Sequence, residues 1–424
     1  MAAPGVLALA EVTETLLNLD DASTAKKATG YNDLLTRIVV DSTPDVLAAN
    51  LIAYLESALS DSVGIVTSRP LLANFAESFR KVEDPEITVE VGTRAIQLIA
   101  PKVVSFEEQD TRIKEILAEA YEKQEDYVSS AKVLQTITLD SSQRSVSDDD
   151  KARVWIRITR CYLEVDDPIN ALTYLNRVKT VLYHVTDQAT RLQFLLSQAR
   201  VSDAQRNFID ASTTYHTLST ETMIDEGERM QALSAAIVCA ILAPAGPKRS
   251  RQLGRLYKDD RASQLEEYGI LEKIFLDRLL RPEEVKAFAE KLQPHQLAKT
   301  ADGSTVLDKA VLEHNLLGAS RLYSNIRVPD LGTLLGVDSE KAEQYAAQMI
   351  EQGRLAGYID QIDQLIFFEG EGSGEKIAQG ASGGGGKELR KWDTNVQGLA
   401  EEVERITTMI QSAYPEFYEQ HMVH

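Results

Sequence analysis

The sequence predicts a mostly α-helical protein: an α-solenoid of tetratricopeptide-like hairpins, then a winged helix with a small β-hairpin, then a long C-terminal helix. Three observations predict this architecture. A helical-hairpin motif recurs about every 40 residues, a helix–strand–helix–helix–hairpin order follows residue 297, and a heptad pattern closes the chain.

The recurring hairpin motif is clearest between residues 121 and 211. Tyr121–Ala131 ends one helical pattern and begins the next, and Tyr162–Ala171 does the same. Phe208–Ala211 supplies a third copy of the second helix, so that Ala131, Ala171 and Ala211 are each 40 residues apart. A small residue at this position lets paired helices approach closely, and a repeat of this length is typical of an α-solenoid. We therefore predict a helical-repeat arm over residues 1–200 and a further helical region over residues 201–296.

The pattern changes at about residue 297, and residues 297–369 predict a winged helix. Thr305 and Asp308 are spaced to cap the start of a helix. A short extended piece follows at 325–328, then a small helix that ends at Gly336, and then a helix from Ser339 to Gln352. Two strand-like runs, 355–360 and 364–369, surround a polar turn and predict the hairpin.

A glycine-rich segment separates the winged helix from the last helix. Of the 23 glycines, eight lie between Gly370 and Gly386, so residues 370–387 predict a flexible linker. Residues 388–424 then carry a heptad seam with alternating steps of three and four, formed by Leu389, Trp392, Val396, Leu399, Val403, Ile406 and Ile410. From spacing alone, this seam fits a helix folded back on its own winged helix as well as one inserted among helices of other chains.

Charge argues against nucleic acid and anionic membranes as partners. The chain has 45 Lys and Arg against 65 Asp and Glu, a formal charge of −20. The helix that would enter a DNA groove carries Glu340, Glu343 and Glu351, which repel phosphate. The strongest basic cluster comprises Lys248, Arg249, Arg251, Arg255, Lys258 and Arg261. We interpret it as a solvated or subunit-facing helix, with phosphate binding as the minority alternative.

The residues also give no support for catalysis. The six histidines show no metal-ligand spacing. Gly380–Gly384 matches the Gly-x-Ser-x-Gly pattern around Ser382, but no strand directly precedes it, as a nucleophile elbow requires. We therefore predict no catalytic, metal-binding or cofactor-binding residue. Cys161 and Cys239 lie in apolar helical contexts and are predicted to be buried, which fits a reducing compartment.

Several stretches resemble a known family. They are Lys258–Arg261, Tyr268–Arg278, Ala301–Ala310, Glu313–Leu317 and Gly357–Asp363. They resemble the PCI domain in the family of subunit four of the COP-nine signalosome, with a paralogous subunit of the proteasome lid as the nearest alternative. The resemblance implies a non-catalytic scaffold of a complex that removes a ubiquitin-like modifier from cullins.

The family resemblance also implies partners. These are other signalosome PCI subunits, metalloprotease-fold subunits and the cullin–RING ligase, with the tail helix in a bundle of helices from several subunits. On this basis we expect subunit contacts from the heptad seam and from Tyr345, Met349, Tyr358, Ile359, Ile362, Ile366 and Phe367. We expect the chain in the cytoplasm and nucleus for a separate reason: its N-terminus does not resemble a signal peptide and its longest apolar run is too short to span a membrane.

Overall fold

The computed structural model of the chain describes residues 8–20, 24–140, 145–299, 303–369 and 384–415, without the side chains of residues 20, 24–26 and 384–395. The chain forms two compact units, Met1–Gln205 and Arg206–His424. The predicted boundaries at 200, 296, 369 and 387 stay predictions, because they divide the chain more finely than these two units.

The regular elements of the first unit are all helices within its described residues. Its α-helices are α1 Leu9–Asp20, α2 Thr24–Asp41, α3 Pro44–Ala58, α4 Ile65–Phe79, α5 Pro85–Ile99, α6 Glu107–Lys123, α7 Tyr127–Gln135, α8 Asp148–Glu164, α9 Pro168–Val181 and α10 Gln188–Ala204. A 3₁₀ helix, Ala100–Ser105, joins α5 to α6. One apolar core runs from α1 to α6 and another from α6 to α10. Helices that pack only on their neighbours in this way form a solenoid, as predicted.

Each predicted hairpin turn has the same backbone geometry. Glu125, Asp166 and Arg206 all have a left-handed conformation, with φ values of 60°, 57° and 64°. Asp277, outside these turns, has a similar φ of 54°. Asp126 and Asp167 follow the first two turns and accept hydrogen bonds from the N–H groups of Ser129 and Asn170, which begins the second helix.

The repeat register needs one correction. The predicted small residues Ala131, Ala171 and Ala211 are all buried. Counted from the capping residues Asp126, Asp167 and Asn207, however, the partner of Ala171 and Ala211 is Ser130 rather than Ala131. The first turn is one residue out of step with a strict 40-residue period. Ser130 is small enough for the close helix approach and is itself fully buried.

The second unit contains the remaining helices and all the strands of the described chain. Its elements are α11 Phe208–Thr220, α12 Glu226–Leu242, α13 Pro247–Tyr257, α14 Tyr268–Phe275, α15 Pro282–Ala289, α16 Val306–Leu322, β1 Asn325–Arg327, α17 Val328–Leu335, α18 Ser339–Glu351, β2 Gly357–Asp360, β3 Leu365–Phe368 and α19 Gly384–Ala413. A 3₁₀ helix, Asp260–Gln264, lies between α13 and α14.

The order from α16 to β3 confirms the predicted winged helix. The Thr305 hydroxyl accepts the N–H of Asp308, and the Asp308 carboxylate accepts the N–H of Thr305, so the predicted cap begins α16. Gly336 ends α17 in a left-handed conformation (φ 71°). Apolar residues of α16, α17, α18 and the sheet share one core.

Helix α19 begins earlier than predicted. The C-terminal helix was expected to start at residue 388 after a linker that ends at 387, whereas the helix already includes Gly384 to Lys387. Extending an existing helix costs far less free energy than starting one. The helix-favouring residues after Lys387 can therefore extend the helix backwards through the preceding glycines, despite the low helix propensity of glycine. The rest of the predicted linker, residues 370–383, lies outside the described residues.

Candidate subunit interface

The sheet of the winged helix has a buried face and an outward face. Strand order is β1-β3-β2, and both pairs are antiparallel, with Ile326 and Ile359 opposite Ile366. Ile366 is fully buried in the core. Because alternate residues of a strand point to opposite faces, Tyr358 and Phe367 lie on the outward face. Their rings stack at 4.8 Å between centroids.

The two outer strands of this sheet leave backbone groups unpaired within it. The N–H of Glu369 bonds to the carbonyl of Ala356 at 3.0 Å. Opposite residues of an antiparallel pair of strands are alternately hydrogen-bonded and not hydrogen-bonded to each other. Glu369 and Ala356 are a hydrogen-bonded pair, so Ile359 belongs to a pair that is not, and its N–H and C=O point away from β3. On β1, the N–H of Phe368 donates to the carbonyl of Ser324 at 2.8 Å. By the same alternation, the backbone N–H and C=O groups of Asn325 and Arg327 point away from β3. Both edges can therefore accept a further strand.

The turn between β2 and β3 places one of the predicted contact residues in solvent. Ile362 has 94% of its surface exposed, and Tyr358 is also exposed, whereas Ile359 and Phe367 are partly buried. The carboxylate of Asp360 accepts the N–H groups of Ile362 and Asp363, which holds the turn in place. The wing, which we define as β2, β3 and the turn between them, thus presents an apolar tip.

Three of the predicted contact residues do not present a surface. Met349 and Ile366 are fully buried, and Tyr345 is 8% exposed. They face inward because α18 needs an apolar stripe to pack on α16 and the sheet, and the 3.6-residue period puts Tyr345 and Met349 on that stripe. These residues belong to the core of the isolated chain, and our expectation of direct contact was wrong for them.

A cleft of about 840 Å³ runs between α18 and helices α15 and α16. Helix α18 contributes Lys341, Gln344, Tyr345 and Gln348 to its wall, and α15 contributes Val285 and Lys286. The Tyr345 and Ser304 hydroxyls lie 3.3 Å apart at the side of the cleft. The solvent side of α18 also carries the exposed Glu340 and Glu351.

Gly357 in β2 allows the backbones of β2 and β3 to approach each other closely. A Cβ atom on Gly357 would lie 2.2 Å from the carbonyl oxygen of Phe367, which is a backbone atom and cannot move aside freely. We expect Gly357→Ala to lower the free energy of unfolding by about 1–3 kcal/mol, as overpacking commonly does. Urea unfolding would measure the loss, and hydrogen exchange of the β2–β3 amides would locate it.

The matched control for this substitution is Gly269→Ala in α14. A Cβ atom there meets nothing within 4 Å, and alanine favours a helix over glycine by about 1 kcal/mol. Equal stability of the two variants would contradict the close approach at Gly357.

A buried ion pair joins the winged helix to the helices before it. Arg354, just after α18, donates two hydrogen bonds to the carboxylate of Glu313 on α16, with Nη1–Oε2 2.5 Å and Nη2–Oε1 2.9 Å. The same carboxylate accepts the N–H of Ala245, in the loop between α12 and α13, at 3.0 Å. The Glu313 side chain is 2% exposed and that of Arg354 is 19% exposed. One carboxylate therefore ties three segments of this unit together.

The two residues after Glu313 continue this connection. Asn315 accepts the N–H of Leu280 and donates to the carbonyl of Leu280. His314 lies with Nε2 2.9 Å from the carbonyl oxygen of Arg278, so a neutral ring donates there. Burial, and then the charge of nearby Arg249, lower the pKa of His314 to about 4.

The lowered pKa of His314 predicts a loss of stability in acid. An unfolded histidine takes up a proton near pH 6.5, whereas the folded one does so only near pH 4. The contribution is therefore present above pH 6.5 and is lost as the pH falls towards 4. Between pH 6.5 and 4.5, we expect wild type to lose about 2 kcal/mol more unfolding free energy than His314→Gln. Parallel pH profiles of the two proteins would contradict this prediction.

The basic cluster predicted on α13 divides in the structure. Arg249 is buried and donates to the carbonyls of Ala240 and Ile241 at the end of α12. Arg261 pairs with Asp259 and also donates to the carbonyl of Ser219. These two arginines are structural, which corrects their assignment to a solvated face. The other four basic residues of the cluster are exposed.

The described part of the tail helix exposes its seam. Leu399 is 67% exposed and Val403 56%, and Val396 and Ile406 are also exposed, while Ile410 is intermediate. The side chains of Leu389 and Trp392 lie outside the described part. For the residues that are described, the seam does not fold back onto the winged helix in the isolated chain.

The candidate nucleophiles and metal ligands are buried, far apart from one another, or outside the described residues. Burial raises the pKa of the Cys161 thiol to about 11, and Cys239 is fully buried. Within the described ranges, no group of His, Cys, Asp and Glu side chains could hold a metal ion. Ser382 and residues 416–424, with His421 and His424, lie outside them. Among the described helices, none is long and apolar enough to cross a membrane.

Comparison with known proteins covers almost the whole chain. A family model described as PSMD12/CSN4, N-terminal, matches residues 11–227, and a PCI domain model matches residues 272–370. The chain is 51% identical over 412 residues to COP9 signalosome complex subunit 4 of Emericella nidulans, which covers 96% of this chain and 97% of the relative. Its identity to the subunit of that name is 45% over 427 residues in Neurospora crassa, again 96% and 97% of the two chains. In Arabidopsis thaliana it is 41% over 398 residues, 90% and 96% of the two chains.

Proposed function

The chain belongs to the family of COP9 signalosome complex subunit 4, and from this membership we propose that it is a non-catalytic scaffold subunit of that complex. The complex removes a ubiquitin-like modifier from cullin–RING ligases. In this proposal, the winged helix and the tail helix hold neighbouring subunits, and the helical arm contacts the ligase.

The exposed apolar face of α19 carries the proposal. Burying one such side chain contributes roughly 1.5–3 kcal/mol, so a helix with exposed Leu399, Val403 and Ile406 gains much by entering a bundle. A long apolar face on a protein of charge −20 is unusual without a partner. Helices of other subunits are the partners that the family implies.

The wing provides a second kind of contact in this proposal. The free edges of β1 and β2 can each add a strand from a neighbour's winged helix, with backbone hydrogen bonds as the main attraction. The exposed Ile362 and the Tyr358–Phe367 stack would add apolar contact beside that edge. The metalloprotease-fold subunits would meet the same domain.

The arm and the cellular address complete the proposal. Stacked helical hairpins form extended surfaces suited to large partners, and here the cullin–RING ligase is the proposed one. Catalysis would belong to another subunit. The proposed address is the cytoplasm and nucleus.

Mass spectrometry of the proteins that co-purify with the tagged full chain would test the proposal directly. We expect the other signalosome subunits in equal amounts with this chain. Recovery of proteasome-lid subunits instead would favour the alternative, a PCI scaffold of the lid. Recovery of neither set would overturn both. Deletion of residues 388–424 should shift the chain out of the complex on size exclusion.

Two other classes of function have simple tests. A nucleic-acid adaptor would bind duplex DNA in a salt-dependent manner, and we expect flat binding curves at low salt. A serine hydrolase would label at Ser382 with an activity-based probe, and we expect no label.

A further inference from the structure

Three basic residues of α13 and a fourth at its C-terminal cap lie on one exposed side of the helix. They are Lys248, Arg251, Arg255 and Lys258, which we call the basic stripe. Their spacing of 3, 4 and 3 residues follows the helical period, so the four side chains form one row. The row extends about 15 Å along the helix, at 1.5 Å per residue.

The charges of the basic stripe are not neutralised within the described part of the chain. None of its four side chains makes a hydrogen bond or an ion pair there. Two of the four acidic groups that follow in sequence have other partners. Asp259 pairs with Arg261, and Glu266 pairs with Lys291. The stripe is therefore a local excess of positive charge on a protein whose net charge is −20.

This arrangement opposes the stability of α13. Basic residues three or four positions apart repel each other along a helix, and the stripe contains three such pairs in succession. Lys248 also lies in the first turn, where the helix dipole disfavours cations, whereas Arg255 in the last turn and Lys258 at the C-terminal cap lie where the dipole favours them. Local violations of this kind are expected at functional sites, where a partner supplies the compensation.

The opposite face of α13 fixes the stripe in place. Leu253 and Leu256 are buried there, and Arg249 is anchored to the end of α12. Gln252 donates to the carbonyl of Ser212 at 3.4 Å. A rigid row of charges can be matched by a rigid partner with little loss of conformational freedom.

We propose that the basic stripe docks an acidic helical face of a partner protein. A helix with Asp or Glu at the same 3, 4, 3 spacing would place its carboxylates opposite the four cations along the same 15 Å. A protein helix fits better than a nucleic acid, because a duplex would extend beyond the stripe over a surface of net negative charge. This inference rests on the proposed membership of a multi-subunit complex, but on neither the wing nor the seam.

The first test compares lysine reactivity in the assembled complex and in the free chain. Acetylation with an N-hydroxysuccinimide ester, read by mass spectrometry, reports the exposure of Lys248 and Lys258. We expect both lysines to react at least fivefold more slowly in the complex, while Lys132, exposed on α7, reports reagent access. Equal reactivity of Lys248 and Lys258 in an intact complex would overturn the docking and leave the proposed function standing.

The second test uses the full chain alone with designed probes. One alanine-based helical peptide carries four glutamates at the 3, 4, 3 spacing, and a second carries the same glutamates distributed around the helix. We expect the first to bind at least tenfold more tightly, and K248Q/R251Q/R255Q/K258Q to abolish that difference. Equal binding of the two peptides would overturn the proposal, and so would tighter binding of a 20-base-pair DNA duplex at the same ionic strength.

The quadruple variant also separates function from folding. Because it removes repulsion and no described hydrogen bond or ion pair, we expect its Tm to be unchanged or higher by about 1–3 °C. A lower Tm would show that these charges stabilise the chain, which would contradict their assignment to a partner.

Discussion

Arg354→Ala should lower the free energy of unfolding by about 3–5 kcal/mol, the range for breaking a buried ion pair by removal of one partner. The reason is the carboxylate that remains. Glu313 is 2% exposed, so without Arg354 its charge keeps only the hydrogen bond from the N–H of Ala245 and the attraction of the buried Arg249. Chemical denaturation of the full chain, followed by circular dichroism, measures the loss.

A paired variant separates the lost contact from the unpaired charge. In E313Q/R354M both charges are absent, while the amide oxygen of glutamine can still accept the N–H of Ala245. We expect this variant to regain more than half of the stability that Arg354→Ala loses, since removing both members of a buried pair is often nearly neutral.

The exposed pair Arg405–Glu402 on α19 provides the control. Its side chains are 68% and 54% exposed, so Arg405→Ala should change stability by about 0–1 kcal/mol. If Arg354→Ala behaved like Arg405→Ala, the Glu313–Arg354 pair would not be what joins the winged helix to the preceding helices.

The Glu313–Arg354 pair is a contact that could not be predicted from the sequence. The caps, the strands and the helices of the winged helix follow from local signals, such as Thr305 with Asp308 or the left-handed Gly336. A contact between residues 41 positions apart has no local signal. One indication was available: Glu313, His314 and Asn315 are three polar residues within an apolar helical run. Polar residues in such a position need buried partners, and all three have them.

The predicted interface failed at particular residues for a related reason. Apolar character alone does not distinguish a side chain that supports a surface from one that forms it. Met349 and Ile366 match the pattern of an interface as well as Ile362 does, but only Ile362 lies beyond the core, in the turn between strands. In the basic cluster, likewise, the sequence could not tell that Arg249 points into the fold while Arg251 points out.

The 40-residue repeat predicted the helical hairpins correctly, although its register was one residue out at Ala131. Three buried small residues at a spacing of 40 predicted the hairpins, and the hairpins are present. The extra residue that shifts the register to Ser130 lies between the first two turns, because the left-handed Glu125 and Asp166 are 41 residues apart whereas Asp166 and Arg206 are 40 apart. Connections between helices tolerate such insertions because they lie at the surface, so the period varies while the packed faces persist.

L399D/V403D should remove the chain from its complex while leaving its own fold intact. Both side chains are more than half exposed in the isolated chain, so charging them costs the monomer little. In a bundle, each lost apolar contact would cost about 1.5–3 kcal/mol, and two would weaken assembly on the order of 10²- to 10⁴-fold. The carboxylates would add the cost of burying unpaired charge.

The matched control for the seam is Q397D/T408D, which places two aspartates on the opposite, exposed side of the same helix. It changes the net charge equally but leaves the apolar face untouched. Size exclusion with co-purification should therefore show normal assembly for Q397D/T408D and loss of assembly for L399D/V403D. Because the two variants share helix, charge and exposure, a difference between them can only come from which face of α19 the other subunits cover. Equal assembly of both would mean that the seam is covered by no partner, and the tail helix would then have no part in holding the complex together.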